Sequence, residues 1–244
     1  MRITSFEITI PVLNEQAELE ANINKLLTFL SEENFSRYNF HVVIADNGST
    51  DATSAIAERI SKASSGRVTA IRLEKKGVGL ALKTVWSSSQ ADIVGYMDLD
   101  LATDIGHIRD VIKAFENDDC DILYGSRLHK DSQVRGRSLL REMTSRVFNM
   151  LLMLYLGVKF SDGQCGFKFL KRARLSPLLS AGAASDSWFF STELLAVAEW
   201  KGLKIKELPV KWTDSPDSRA DIVSLALLYL RSMKRLKTLK PLNG

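Results

Sequence analysis

Two aspartates separated by one residue give the strongest chemical signal in the sequence. Asp98 and Asp100 follow the apolar run Ile93–Met97, which is typical of a buried strand. Residues i and i+2 at a strand end project to the same side, so both carboxylates can bind one hard cation. Mg²⁺ or Mn²⁺ prefers such oxygens, with phosphate and water in the remaining positions. A pair of solvated strand-end acids is the alternative, and the alignment with other polar strand ends favours the metal site.

Polar residues also follow the first two apolar runs. Asn14 and Glu15 come after the first run, and Asp46 ends the second, two residues before Gly48. The Asp46 carboxylate can accept a hydrogen bond from the N–H of a nucleobase, and Gly48 allows a tight turn. The polar residues that follow can cap the next helix. Capping does not explain an acid that ends an apolar strand, so we predict a binding role for Asp46.

Five arginines fall within 20 residues of the second half, beside an apolar helical pattern. Arg127 ends a predicted strand, and Arg141 lies early in the helix that follows. The other three are Arg135, Arg137 and Arg146. The guanidinium group is a fork of donors that matches phosphate geometry. A solvated basic face is the alternative, and the density of arginines next to an apolar helix favours a phosphate site.

An alternation of strand and helix patterns positions these residues in the first half. The predicted strands are Ile8–Val12, Val42–Ala45, Val68–Leu73 and Ile93–Met97, and the predicted helices are Glu15–Leu30, Asp51–Lys62 and Gly79–Ser89. Such alternation predicts an α/β fold with a mostly parallel sheet. Ligands of such sheets bind at the carboxyl ends of the strands. The polar residues described above lie at those ends.

The second half has a less regular pattern. Its predicted elements are a strand at Ile122–Tyr124, a helix at Leu139–Leu156, a loop at Ser161–Gly166, a helix at Phe189–Lys201, a strand at Lys204–Val210 and a helix at Ala220–Leu239. The 244 residues are 45% hydrophobic, which is enough for one large α/β domain. Two cysteines argue against a disulfide framework and fit a reducing compartment.

The sequence favours a protein that lies on a membrane surface without crossing it. The net charge of +4 indicates an anionic partner but does not identify it. No signal peptide pattern opens the chain, and no run reaches the ~20 apolar residues that span a bilayer. Apolar residues of the last helix follow helical spacing (Ile222, Leu225, Tyr229, Leu236, Leu239), with Arg231, Lys234, Arg235, Lys237 and Lys240 toward its end. This helix can bind anionic lipid or pack on the domain. The apolar run Val147–Leu156 favours a core position, with a platform for a lipid tail as the alternative.

Several motifs together resemble the family 2 inverting glycosyltransferases. In the first half they are Ile10-Pro11-Val12-Leu13-Asn14-Glu15, Asp46-Asn47-Gly48-Ser49-Thr50-Asp51, Gly77-Val78-Gly79-Leu80-Ala81 and Asp98-Leu99-Asp100. In the second half Gly125-Ser126-Arg127, Arg141-Glu142-Met143-Thr144-Ser145, Asp162-Gly163-Gln164-Cys165-Gly166-Phe167-Lys168, Trp188-Phe189-Phe190 and Glu207-Leu208-Pro209-Val210 are similar to dolichyl- and polyprenyl-phosphate hexose synthases. The form Cys165-Gly166-Phe167-Lys168 and Trp188 favour the glucose synthases over the mannose synthases.

The resemblance implies a GT-A fold, with a mostly parallel central sheet, helices on both faces and C-terminal amphipathic helices. It implies a catalytic domain at 1–219, made of a nucleotide-sugar-binding half at 1–130 and an acceptor-binding half at 131–219. A basic amphipathic helix at 220–244 follows. The implied partners are a nucleotide-sugar, a polyprenyl phosphate and the cytoplasmic face of a membrane, with room for a separate membrane protein and no nucleic acid.

The resemblance also assigns roles to individual residues. Those implied to hold the nucleotide-sugar are Pro11, Asn14, Glu15, Asp46, Gly48, Gly77, Asp98, Asp100 and Arg219. Asp98 and Asp100 would bind Mg²⁺ or Mn²⁺, and Arg127, Arg141 and Ser145 would bind the acceptor phosphate. Asp98, Asp100, Arg127 and Arg141 form the implied catalytic set. One departure matters: position 102, usually polar in the family, is Ala102. Water or Asp104 must therefore supply a third metal ligand.

These expectations lead to one predicted reaction and two alternatives. The prediction is transfer of a hexose, from UDP-glucose first and GDP-mannose second, to a polyprenyl phosphate with inversion. A sugar or lipid hydroxyl as acceptor would need a base, for which Asp186 or Glu193 is the candidate. A non-catalytic nucleotide-sugar-binding protein is the second alternative. The absence of Gly-x-Gly-x-x-Gly after the first strand and the scattered histidines argue against a dehydrogenase and a zinc enzyme.

Overall fold

The computed structural model describes residues 3–32, 35–214 and 222–240. The strands are β1 Ser5–Val12, β2 Asn39–Asp46, β3 Val68–Arg72, β4 Ile93–Met97, β5 Ile122–Ser126, β6 Gln133–Arg135, β7 Phe167–Lys171, β8 Ile205–Pro209 and β9 Lys211–Thr213. The helices are α1 Leu19–Leu30, α2 Thr53–Ala63, α3 Val78–Ser88, α4 Ile108–Glu116, α5 Leu139–Leu156, α6 Leu175–Ser180, α7 Phe190–Trp200 and α8 Ile222–Leu239.

A seven-stranded sheet in the order β3-β2-β1-β4-β7-β5-β8 forms the centre of the molecule. Its neighbouring strands are parallel except for β7, which runs antiparallel to both β4 and β5. The prediction of a mostly parallel sheet is therefore confirmed. A second, two-stranded sheet pairs β6 with β9 in parallel. Along β1 and β2 the register runs from Ser5 opposite Asn39 to Val12 opposite Asp46, so both strands end at the same edge.

Helices cover both faces of the large sheet because its strands alternate apolar side chains between two layers. In β2, Val42 and Ile44 join the core beneath α1, α2 and α4, whereas Val43 and Ala45 join the core beneath α3 and α5 to α8. In β4, Met97 joins the first core and Tyr96 the second. Strands buried on both faces explain the continuous apolar runs in the sequence.

The structure differs from the predicted elements at three places. The first helix begins at Leu19 rather than Glu15, because the intervening residues form a turn. The strand expected over Lys204–Val210 is β8, but it ends at Pro209, and the chain then enters the small sheet at Lys211. The patterns do not predict α4, β6, β7, α6 or β9. β7 matters most, because it carries the last residues of the Cys-Gly-Phe-Lys motif into the middle of the sheet.

Among the described helices, none combines the length and the apolar content that crossing a lipid bilayer requires.

Candidate active site

The loops after β1 and β2 are tied together at the edge of the sheet where the polar residues were expected. Asn14 has a left-handed backbone, with φ 57°. Its Oδ1 accepts from the Thr50 backbone N–H at 2.8 Å, and the Glu15 backbone N–H donates to Thr53 Oγ1 at 2.8 Å. Pro11 is buried in β1 opposite Ala45. Asn14 thus fixes the loops, and its contact with a nucleotide stays a prediction.

Asp46 is buried at the end of β2, with 1% of its surface exposed. Its Oδ1 accepts from the Ser49 backbone N–H at 2.8 Å, and its Oδ2 accepts from the Ser54 hydroxyl. Burial raises the pKa of Asp46, but these hydrogen bonds and the charge of Arg72 outweigh it and lower the pKa below its ordinary value. The carboxylate is therefore ionised and shapes the loop. Gly48 takes φ 80°, as the predicted tight turn requires.

The glycine motif at the start of α3 has a packing role. A Cβ on Gly77 would lie 2.3 Å from the backbone oxygen of Asp186, and one on Gly79 would lie 2.3 Å from that of Ser185. The Leu80 backbone N–H donates to the Asp186 carbonyl at 3.1 Å. Backbone carbonyls of the segment before α7 thus occupy donors at this helix N-terminus. The expected contact between Gly77 and the nucleotide-sugar stays a prediction.

The Asp-x-Asp motif lies in a turn just past β4. The strand ends at Met97, and the Leu101 backbone N–H closes the turn onto the Asp98 carbonyl at 3.2 Å. Leu101 takes φ 50°. The chain has already left the strand at these residues, so strand alternation does not apply to them, although the carboxylates are close enough for the charge of Asp100 to act on Asp98. Their joint binding of one cation stays a prediction. Asp98 is half-buried beneath the turn, whereas Asp100 is exposed at its tip.

The Asp98 carboxyl occupies a space that only glycine at position 166 leaves open. A Cβ on Gly166 would lie 1.8 Å from Asp98 Oδ2, and the Asp98 backbone N–H donates to the Gly166 carbonyl at 3.2 Å. Oδ1 of Asp98 is buried without a hydrogen-bond partner among the described residues. Burial and the charge of Asp100 raise the pKa of Asp98 to about 7, although Arg127 and Lys168 oppose this shift.

The surroundings of Asp98 and Asp100 fit a divalent cation. Although Asp100 as a whole residue is exposed, neighbouring groups partly shield its carboxylate from water, and this desolvation, with the charges of Glu18 and Asp214, raises its pKa. Burial, followed by the charges of Glu18, Asp100 and others, also raises the pKa of Glu15. Carboxylates that repel one another, one of them with an unpartnered buried oxygen, offer the hard oxygen ligands that Mg²⁺ and Mn²⁺ prefer. No group of three metal-ligating side chains occurs among the described residues.

Neither position 102 nor position 104 contributes an obvious third ligand. Ala102 is buried, and its carbonyl accepts from the Thr213 backbone N–H at 2.9 Å. Asp104 caps a short 3₁₀ turn, since its Oδ1 accepts from the Gly106 backbone N–H at 2.8 Å. A metal contact by Asp104 stays a prediction.

Arg127 forms a buried bidentate ion pair with Asp162. Its Nε and Nη2 each donate to a different carboxylate oxygen at 2.8 Å, and its backbone N–H donates to Oδ2 at 3.0 Å. Asp162 has no exposed surface. Burial raises the pKa of Asp162, but the Arg127 guanidinium outweighs it and holds the pKa at about 2. The resemblance implied that this guanidinium binds the acceptor phosphate, whereas in the structure two of its nitrogens donate to Asp162.

The loop after α5, residues 161–166, is held from several sides. The buried Lys168 Nζ donates to the carbonyls of Gly163 and Cys165, at 3.1 and 2.6 Å. The Gly163 backbone N–H donates to Asn149 Oδ1 at 2.8 Å. Asn149, which interrupts the apolar run of α5, therefore faces inward. The sequence contains this motif but gives no role to Asp162, Gly166 or Lys168, because their roles depend on burial that no local pattern reveals.

The arginines of the predicted cluster have different partners in the structure. Arg141 Nη1 donates to Asp214 Oδ2 at 2.9 Å. Arg146 is exposed and pairs with Glu142, one turn away. Ser145 Oγ is buried and has no hydrogen-bond partner among the described residues. The acceptor roles of Arg141 and Ser145 stay predictions, and Arg219 lies outside the described residues.

Helix α5 buries two polar and two apolar residues and exposes a larger number of apolar residues. Its buried residues are Ser145, Asn149, Leu152 and Leu156. Its exposed apolar residues are Leu139, Leu140, Met143, Val147, Met150, Leu151, Leu154 and Tyr155. The prediction that the run Val147–Leu156 favours the core therefore holds for half of its residues, which are buried or pack against the core, and is wrong for the other half, which are exposed. An exposed apolar face of this extent marks a surface that contacts an apolar partner.

Helix α8 packs on the domain through its last turns. Tyr229, Met233 and Leu236 are buried, and Arg235 pairs with the fully buried Glu193. The other oxygen of Glu193 accepts from the backbone N–H groups of Ala184 and Ser185, at 2.9 and 2.8 Å. The alternative of packing on the domain is thus confirmed for this face of α8. Both oxygens of Glu193 are engaged, which argues against its use as a base.

Comparison with known sequences gives one family and a consistent set of relatives. A model of glycosyl transferase family 2 matches residues 7–178. The glycosyltransferase AglD of Haloferax volcanii is 31% identical over 218 residues, which are 88% of this chain and 34% of AglD. The dolichyl-phosphate beta-glucosyltransferase of Dictyostelium discoideum is 28% identical, over 94% of this chain and 73% of that protein. The Homo sapiens protein of that name is 26% identical, over 97% of this chain and 79% of its own. The chain thus spans about a third of AglD and about three quarters of the other two.

Solved structures share the fold. Glucosyl-3-phosphoglycerate synthase from Mycobacterium tuberculosis, in complex with Mn²⁺, UDP and glucosyl-3-phosphoglycerate, aligns with a TM-score of 0.67 at 17% identity, over 99% of this chain and 81% of that one. S. aureus TarS 1–349 in complex with UDP-GlcNAc aligns with a TM-score of 0.56 at 18% identity, over 91% of this chain and 62% of that one. These glycosyltransferases confirm the predicted GT-A fold.

Proposed function

Because this chain belongs to glycosyl transferase family 2, we propose that it transfers glucose from UDP-glucose to a polyprenyl phosphate of the dolichyl type, with inversion at the anomeric carbon. The observation that carries the proposal is that one loop, residues 161–166, contacts both a carboxyl and a guanidinium group: Gly166 packs against Asp98, and Asp162 pairs with Arg127. Carboxylates with raised pKa values follow β1 and β4, and helix α5, which precedes the loop, has an exposed apolar face. Relatives named dolichyl-phosphate beta-glucosyltransferases support the glucose and the lipid phosphate.

The donor half would bind the nucleotide-sugar at the loops after β1, β2 and β4. Asp98 and Asp100 would hold Mn²⁺ or Mg²⁺, which when bound supplies positive charge to the departing diphosphate. Pro11, Asn14 and Asp46 belong to the loops proposed to hold the nucleoside. Their hydrogen bonds fix those loops before any substrate arrives, which lowers the entropy cost of binding.

The acceptor phosphate would be the nucleophile, and it is already an anion at neutral pH. One of its oxygens forms a bond to the anomeric carbon while the bond from that carbon to the diphosphate oxygen breaks, and UDP leaves. No base is needed for this step. A hydroxyl acceptor would need one, and the engaged oxygens of Glu193 and the pairing of Asp186 with Lys83 favour the phosphate.

The apolar face of α5 would place the enzyme on a membrane surface. Leu139 and Leu154 expose 83% and 75% of their surface. Lys234 and Lys237 on the neighbouring α8 are exposed cations that anionic headgroups attract. Such a surface lets the lipid tail stay in the bilayer while the phosphate enters the cleft. We propose the cytoplasmic face, where nucleotide-sugars are available.

Transfer to lipid acceptors tests the proposed function. With labelled UDP-glucose and Mn²⁺, the protein is expected to charge a polyprenyl phosphate and to leave the free polyprenol unlabelled, because the neutral alcohol lacks the charged nucleophile. Extraction into organic solvent and chromatography measure the product. GDP-mannose in place of UDP-glucose is expected to give at least tenfold less product. Label on the polyprenol, or donor binding with no transfer to either lipid, would favour the hydroxyl or the non-catalytic alternative.

Membrane binding through α5 can be tested separately. The double variant Leu139→Glu and Leu154→Glu is expected to lower cosedimentation with anionic vesicles about tenfold or more, since buried leucine contributes about 1.5–3 kcal/mol. Both side chains are exposed, so the fold should be retained. The double variant Ala55→Glu and Ala63→Glu, at two exposed positions of α2, adds the same two charges elsewhere and serves as the control. Equal loss in the control, or none in the double variant, would contradict a role for α5.

A further inference from the structure

One arginine of the cluster differs from the others in being buried with unused donors. The Arg137 side chain keeps 9% of its surface exposed. Its Nε and Nη1 are buried and have no hydrogen-bond partner among the described residues. The remaining nitrogen, Nη2, donates to the Arg141 carbonyl at 3.3 Å. Buried guanidinium nitrogens that lack an acceptor are costly, so such a group calls for an explanation.

The carboxylate that pairs with Arg137, that of Glu142, does not accept a hydrogen bond from its unused nitrogens. Nε of Arg137 lies 3.4 Å from Oε2 of Glu142, too poorly aligned for a hydrogen bond. Glu142 also pairs with Arg146 through its other oxygen, at 2.6 Å. One negative charge therefore serves two guanidinium groups. Burial, followed by the charge of Arg127, lowers the pKa of Arg137, although Asp162, Glu142 and Asp214 oppose this shift. An anion next to Arg137 would offset that cost.

Two other arginines of the acceptor side already have carboxylate partners. Arg127 is bidentate to Asp162, and Arg141 donates to Asp214. Ser145, in the second turn of α5, has a buried hydroxyl without a hydrogen-bond partner among the described residues. Arg137, two residues before α5 begins, and Ser145 thus both place unused buried donors at the N-terminal end of this helix.

From this arrangement we propose that Arg137 is the arginine whose free donors bind the phosphate monoester of the acceptor, together with Ser145. This proposal rests on the proposed function and sharpens it. Arg127 then acts as a positioning residue that holds the loop at residues 161–166 through Asp162. The planar fork of Arg137 suits two phosphate oxygens, so lysine at this position should replace only part of its contribution.

The test compares acceptor kinetics in Arg137→Gln, Arg137→Lys and Arg135→Gln. Arg137→Gln is expected to raise KM for the polyprenyl phosphate about 10- to 100-fold, since a hydrogen bond to a charged group contributes about 1.5–3 kcal/mol. KM for UDP-glucose and the slow release of UDP without acceptor should stay within about twofold. Arg137→Lys should raise acceptor KM about fivefold. Arg135→Gln removes an exposed charge two residues away and should raise it less than about threefold, because exposed charges are screened.

A binding measurement separates the possible outcomes. Farnesyl phosphate, inorganic phosphate and farnesol are titrated against the full chain, with thermal stabilisation as the readout. The wild type should respond to farnesyl phosphate most, to phosphate less and to farnesol least, and Arg137→Gln should lose the responses to both phosphates. If wild type neither binds farnesyl phosphate nor transfers glucose, the proposed function fails. If wild type does both and Arg137→Gln matches Arg135→Gln, the role of Arg137 fails while the function stands. If Arg137→Gln does not fold, Arg137→Lys decides: an unchanged acceptor KM overturns the proposal.

Discussion

Asp98→Asn and Asp100→Asn are each expected to lower kcat for glucosyl transfer about 10³-fold. Removing one carboxylate weakens the cation site that would stabilise the departing diphosphate, a contribution of several kcal/mol. Initial rates with saturating UDP-glucose, Mn²⁺ and polyprenyl phosphate measure the effect. Wild-type turnover in either variant would rule out this pair as the cation site. Asp110→Asn, an exposed acid on α4, removes the same charge away from the site and serves as the control.

The two variants should differ in stability, which separates loss of chemistry from loss of fold. The folded-state pKa of Asp98 is about 7, above its ordinary value of 3.8. A carboxyl with a raised pKa stabilises the fold fully below about pH 4, and that stability is lost as the pH rises through about 7. The asparagine side chain does not ionise, so it carries no such dependence on pH. In the absence of metal, Asp98→Asn should therefore gain Tm relative to wild type between pH 4 and pH 7 and reach a plateau above it.

At pH 8 this gain should be about 2 °C or more, because one kcal/mol shifts Tm by about 2–4 °C in a chain of this size. Asp100→Asn should change Tm less, because Asp100 is the more exposed of the two residues. Differential scanning calorimetry over this pH range measures both variants. An inactive Asp98→Asn protein that is also less stable than wild type at pH 8 would contradict the predicted cost of ionised Asp98.

Asp162→Asn is expected to lower the free energy of unfolding by about 3–5 kcal/mol, because it leaves the buried Arg127 guanidinium without its counterion. Tm should fall by about 10 °C, and urea denaturation at pH 7 measures the change. Since the pKa of Asp162 is held at about 2, the ion pair stabilises the protein above about pH 4. That stability is lost as the pH falls through about 2. The difference between variant and wild type should therefore be constant from pH 5 to pH 8.

Asp119→Asn provides the matched control for this prediction. Asp119 pairs with Lys206 at 2.7 Å, but both side chains are exposed, by 38% and 41%. Exposed pairs contribute under about 1 kcal/mol, so the control should unfold close to wild type. The double variant Arg127→Met with Asp162→Leu should recover part of the loss, since no unpaired charge remains. A single variant no less stable than Asp119→Asn would contradict the buried pair.

Asp98 and Asp162, whose variants have the largest predicted effects, differ in how their surroundings treat the ionised carboxylate. Asp98 is held next to Gly166 in surroundings that oppose its ionisation, whereas Asp162 is held in surroundings that enforce it. Lys168 lies near both carboxylates and binds the loop between them. The loop at residues 161–166 therefore connects the proposed cation site to the acceptor side, and a change at Asp162 should affect both.

The sequence patterns predicted the position of the site better than the state of its side chains. The end of β2 at Asp46, the end of β4 before Asp98 and helix α5 over Leu139–Leu156 agree with the structure. These predictions rest on local periodicity, which determines where a strand or helix ends. The antiparallel insertion of β7 had no such signal, because its five residues include two lysines and are too few to show a clear period.

The partners of the arginines depend on contacts that no local pattern contains. Arg127 meets Asp162 across 35 residues of sequence, and Arg141 meets Asp214 across 73. The sequence by itself determined the order of the elements, the edge of the sheet where polar residues gather and the kinds of group available there. Only the tertiary structure decided which guanidinium is already neutralised, which face of α5 is apolar and exposed, and why position 166 is glycine. Those properties follow from burial and from charges brought close by distant segments, and they exist only once the chain has folded.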